Sequence, residues 1–133
     1  GAIHSVVFGA FSEDSLRDRI NDSECKVLVT QDTALRGAKN DIPMKIKADK
    51  AVDECPSIEQ VIVVKRTGNT VPMMDGRDLW WHDLMYDAAD KCDPVGDEKH
   101  NDPAALNAKH GLISGRFNLF EYLVYVSHGL FRL

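Results

Sequence analysis

Beside a mostly apolar strand, IHSVVF at residues 3–8, two short runs, KVLVT at 26–30 and VIVVK at 61–65, carry almost no alternation of polar and apolar residues. A strand with one face in water alternates, so runs this rich in valine and isoleucine are expected where a sheet is covered on both faces, as parallel sheets are. The segments between the runs have helical spacing instead. Ser12 precedes Glu13 and Asp14, the pattern of an N-cap followed by carboxylates at the positive end of a helix dipole. Leu16 and Ile20, four apart, supply that helix with a buried stripe, and NDSE at 21–24 ends it. After a loop over residues 31–43, a second helix is predicted from Lys45 to Glu54, with Ala48, Ala51, Val52 and Cys55 on one face and Pro56 as its stop. RTGN at 66–69 turns the chain, and a third helix is predicted over Arg77 to Asp90 with Trp80, Trp81, Leu84 and Ala88 facing inward. Strands alternating with helices predict an α/β fold with an open, mostly parallel sheet and flanking helices. Ligands of such sheets gather at the carboxyl ends of the strands.

Charge and cysteine content narrow the partners. A net charge of −5 and a pI near 5.4 argue against nucleic acid or an anionic membrane as the main partner, and leave room only for a small basic site. No apolar run is long enough to span a bilayer, and no signal-peptide pattern opens the chain. Cys25, Cys55 and Cys92 are too far apart for a zinc pattern and form no even disulfide framework. A reducing compartment is expected: the cytoplasm, or in a eukaryote also the mitochondrion or nucleus.

The residues that could carry chemistry have competing readings. No GxGxxG, Walker loop, HExxH or nucleophile elbow is present, so no catalytic residue is assigned. None of the five histidines is assigned to a metal, and the Trp80–Trp81 pair reads as packing rather than as a platform for a base. Asp32 follows a strand as a phosphoacceptor aspartate would, but the first strand lacks the acidic pair that would hold magnesium. In HSVVFGAFS, Gly9 either lets a ligand touch the main chain or simply makes the turn. Arg36 and Lys39 stand three apart with only Gly37 and Ala38 between them, so the two cations can converge on one phosphate or can remain solvated loop charges.

Taken together, GAIHSVVFGAFSEDSLRDRIND, KVLVTQDTALRGAK, IPMK, VIVVKRTGN and GRDLWWHDL resemble, in order and spacing, the AMP-forming acetyl-CoA synthetases of the adenylate-forming superfamily. The resemblance covers residues 1–95 and implies a fragment of the large amino-terminal domain of such an enzyme. It also implies a reaction for the whole enzyme: acetate, ATP and Mg2+ form acetyl-adenylate and pyrophosphate, and the thiol of CoA then attacks the adenylate. By the same resemblance, Phe8, Gly9 and Ala10 pack against the nucleotide end of CoA. The loop of Arg36, Gly37, Ala38 and Lys39 contacts CoA too, with its cations near the phosphates. The family commonly has a second glycine where this chain has Ala10, and AKNDIPMK holds one extra residue.

Past about Pro94 the likeness is not expected to continue, and residues 96–133 read as a divergent tail. LVYVSHG at 123–129 echoes the strand that precedes the family's glycine-rich phosphate loop, but the loop itself does not follow. The chain alone is therefore expected to lack adenylation chemistry, with the rest of a synthetase chain as its implied partner. The stretch 117–133 is expected to pack on the exposed sheet or to promote association. The competing function is a stand-alone α/β module that binds a nucleotide or CoA without catalysis.

Overall fold

The computed structural model describes residues 3–36, 39–86, 88 and 121–126. Its elements are β1 (Ile3–Phe8), α1 (Glu13–Asp22), β2 (Val27–Gln31), β3 (Ala34–Arg36), β4 (Lys39–Ile42), α2 (Met44–Val52), β5 (Gln60–Val64), β6 (Asp78–Trp80), α3 (Trp81–Tyr86) and β7 (Glu121–Val126). Five strands form one sheet in the order β1-β7-β2-β5-β6, and β3 and β4 form a separate hairpin. β2, β5 and β6 are mutually parallel, while β7 is antiparallel to both β1 and β2. Four of the five strands therefore run in one direction, and the α/β reading holds.

Pleating divides the strand residues between two layers. On one face, Val7, Leu28, Val61 and Val63 pack with Leu16 and Ile20 of α1 and with Met44, Ala48, Ala51 and Val52 of α2. On the other face, Val27, Val29 and Ile62 pack with Val64 and with Leu84 of α3. Every residue of β2 is buried, as its unalternating sequence requires. Helix α1 begins at the predicted cap: Ser12 accepts from the Ser15 amide at 3.3 Å. Its far end is a Schellman motif. Glu24 takes φ +47°, its amide donates to the Asn21 carbonyl, and the Cys25 amide donates to the Ile20 carbonyl.

Three expectations need correction. The predicted loop over 31–43 contains the β3–β4 hairpin. The predicted helix over Arg77 to Asp90 begins only at Trp81, because Asp78–Trp80 pairs in parallel with Val61–Val63 and becomes the edge strand of the sheet. Helical spacing over so few residues is outweighed by a free strand edge beside it. Trp80 is accordingly half-buried against the core, whereas Trp81 and Ala88 are exposed. Finally, the described part of the tail does not lie on the sheet face: Glu121–Val126 is hydrogen-bonded inside the sheet, between β1 and β2. Cys25 and Cys55 are buried, and Cys92 lies outside the described residues. No helix among the described residues is long and apolar enough to cross a membrane.

Candidate site at the carboxyl rim of the sheet

Strand register places two sequence-predicted segments on one rim. Val6 of β1 and Val29 of β2 both pair with Leu123 of β7, so Phe8 and Gln31, each two residues further on, end level. Two inter-strand spacings separate them, about 10 Å. Beyond Phe8 the chain turns at once, and the Phe11 amide donates to the Phe8 carbonyl at 3.0 Å. Gly9, inside that turn, is buried between exposed Phe8 and Ala10. Among the described residues only Gly68 and Gly76 are glycines with positive φ, so the Gly9 turn does not demand glycine conformationally. Phe8 and Phe11 meet edge to face at 6.2 Å, and the Arg19 guanidinium lies 5.2 Å from the Phe11 ring centroid.

The β3–β4 hairpin rises from the end of β2. Arg36 and Lys39 are register partners across it, so the two cation-bearing positions stand opposite one another. The Arg36 side chain is exposed and meets no carboxylate among the described residues, which suits it to an external anion. Gly37 and Ala38, and the side chain of Lys39, lie outside the described residues. Lys65 and Arg66, at the end of β5, are also exposed on this rim.

Asp32 is not a phosphoacceptor. It is fully buried, and its carboxylate accepts backbone amides from Thr33 at 2.7 Å, Arg66 at 3.0 Å, Thr67 at 3.1 and 3.2 Å and Gly68 at 2.7 Å. Burial alone would raise its pKa, but the amides of Thr33, Gly68, Thr67 and Arg66 together hold it below the ordinary 3.8. Thr33 adds a hydroxyl bond to Thr67, and its hydroxyl accepts from the Asn69 side-chain Nδ2 at 2.9 Å.

A second polar cluster lies beneath α2. The Lys45 ammonium reaches Asp49 at 2.6 Å and Asp78 at 2.7 Å, while Arg77 reaches the same two carboxylates at 2.6 Å each. Burial works against ionised Asp78, yet the hydrogen bonds from Arg77, Lys45 and the Met74 amide bring its pKa below the ordinary 3.8. Sequence reading missed this network. The available signal was Lys45 itself, three before Ala48 and seven before Val52, and so on the apolar face of its helix. No group of three or more His, Cys, Asp or Glu residues among the described residues is placed to hold a metal ion.

The fold and rim thus define a segment of an open-sheet α/β domain with a two-stranded hairpin at its carboxyl edge. Comparison with known proteins supplies the family. The chain is 62% identical over 92 residues to an acetyl-coenzyme A synthetase of Rubrobacter xylanophilus, covering 69% of this chain and 14% of that protein. It is 53% identical over 94 residues to acetyl-coenzyme A synthetase 2 of Pseudomonas putida, covering 71% and 14% respectively. Similarity to an acetyl-coenzyme A synthetase of Nostoc linckia is 46% over 112 residues, covering 84% of this chain and 30% of that protein. No family model matches the chain. The matched residues belong to the acetyl-coenzyme A synthetase family, as a segment of it; the first two of these relatives are each matched over 14% of their length.

Proposed function

We propose that this chain is part of an acetate-activating, AMP-forming ligase, that its rim carries part of the CoA site, and that it does not form the adenylate by itself. The observation that carries the reading is a segment 62% identical to an acetyl-coenzyme A synthetase whose level strand ends bring the Phe8–Ala10 turn and the Arg36–Lys39 hairpin to one rim. In the whole enzyme, ATP, Mg2+ and acetate would supply the adenylate and CoA the attacking thiol. The part of this chain is binding. Arg36 and Lys39, opposed across the hairpin, offer charge-assisted donors to CoA phosphate. Phe8 and Ala10, exposed on either side of buried Gly9, offer the surface against which the nucleotide end of CoA packs.

The test transplants residues 1–95 into a complete acetyl-CoA synthetase in place of the matching segment. Alanine at Arg36 or at Lys39 should raise the Michaelis constant for CoA by roughly tenfold, the loss of about one charge-assisted hydrogen bond. Acetate- and ATP-dependent pyrophosphate exchange should stay unchanged, since adenylation precedes CoA attack. An unchanged CoA constant in both variants would sink the CoA assignment. The 133-residue chain itself should show no acetate-dependent exchange of labelled pyrophosphate into ATP above a no-protein control.

A further inference from the structure

We infer that Asp32 is the positioning residue of the Arg36–Lys39 hairpin, joining both of its feet to the end of β5 through one buried residue. The hairpin departs at Thr33, whose amide donates to the Asp32 carboxylate at 2.7 Å. It returns at α2, where the Lys45 amide, one of the unpaired donors of a helix start, donates to the Asp32 carbonyl at 3.1 Å. Asp32 is itself anchored, because its own amide donates to the Val64 carbonyl at 3.0 Å.

The other side of the carboxylate is filled by the successive amides of Arg66, Thr67 and Gly68, with Gly68 at φ +82°. Consecutive amides with a left-handed residue form a concave nest for an anion, and here the anion is internal. The nest is therefore a receptacle for Asp32, and the loop after β5 becomes the base on which the hairpin stands. Thr33 repeats the link through its hydroxyl bonds to Thr67 and Asn69. A hairpin of three-residue and four-residue strands has little stability of its own, so the position of Arg36 depends on how its feet are held. The consequence for ligand binding rests on the CoA reading above; the consequence for hairpin order does not.

The experiment follows amide hydrogen exchange in the full 133-residue chain, with CoA as the titrated probe. Asp32→Asn replaces an acceptor oxygen by a donor that faces amides. It should accelerate exchange at residues 34–36 and 39–42 by tenfold or more while Leu28, Val61 and Val63 in the core keep their protection. CoA binding should weaken by about tenfold, the same loss expected for Arg36→Ala. Unchanged hairpin exchange overturns the inference, as does equal acceleration of hairpin and core, which would mark Asp32 as a general stabiliser. Gly68→Ala, which strains the left-handed residue whose amide holds the Asp32 carboxylate, decides the matter if Asp32→Asn fails to fold: selective acceleration of the hairpin supports the role, and none overturns it. If Asp32→Asn loosens the hairpin but Arg36→Ala leaves CoA binding unaltered, the positioning role stands and the CoA assignment falls.

Discussion

The Lys45 ammonium sits 2.7 Å from the Asp78 carboxylate, and the two side chains are 1% and 0% exposed. An ion pair so fully withdrawn from water persists only if every remaining lone pair and proton is also satisfied. Asp49 and Arg77 complete the set, tying α2 to the edge strand β6.

The four charges are not equivalent. Asp78→Ala removes the partner shared by Lys45, Arg77 and the Met74 amide, and should cost about 3–5 kcal/mol. The thermal midpoint should then fall by about 10 °C or more. Lys45→Met leaves Asp78 bonded to Arg77 and fills the same space with an apolar chain, so its cost should be much smaller. Thermal or urea unfolding of the two variants measures the order, and equal losses would show that the network is not organised around Asp78.

Acid should unfold the chain through Asp78 and loosen the hairpin through Asp32. Both carboxyls ionise more readily in the folded chain than at the ordinary value of 3.8, so their stabilisation is complete above that value and is lost as pH falls through their folded values. Urea midpoints should be level from neutral pH to about pH 5 and drop steeply below about pH 4. Asp78→Asn should be less stable at neutral pH and show a shallower acid drop.

Glycines 9 and 68 should respond differently to alanine. Gly68 has φ +82°, and an added Cβ would meet nothing nearer than Lys65 Cε at 3.9 Å, so the cost is backbone strain of about 1–2 kcal/mol rather than crowding. Gly9 is not among the glycines of positive φ but is buried, so Gly9→Ala acts through crowding rather than backbone strain and should weaken CoA binding more than Gly68→Ala does. CoA titration of both variants gives the order, and the reverse would count against a ligand at the Gly9 turn.

Glu24 offers a stabilising substitution. It holds the left-handed C′ position of the Schellman motif, which glycine fills without strain. Glu24→Gly should raise stability by about 0.5–1 kcal/mol, visible as a higher urea midpoint with an unchanged slope.

Much of this molecule follows from local pattern. The unalternating runs KVLVT and VIVVK dictated strands buried on both faces, Ser12 with Glu13 and Asp14 dictated a helix start, and Leu16 and Ile20 dictated the side it buries, since each depends on residues within a few positions of one another; β1, whose run carries His4 and Ser5, keeps Val6 and Phe8 exposed. The strand end before the Phe8–Ala10 turn was legible for the same reason, whereas the hairpin that carries Arg36 was read as a loop. Other features depend on partners distant in sequence. Asp78–Trp80 has helical spacing yet pairs as a strand because the edge of β5 lies beside it, and Lys45 is buried because Asp78, 33 residues further along the chain, accepts its charge. Asp32 looks in sequence like an exposed acid at a strand end. Only the folded chain brings the amides of residues 66–68 around it, and backbone donors leave no trace in side-chain identity.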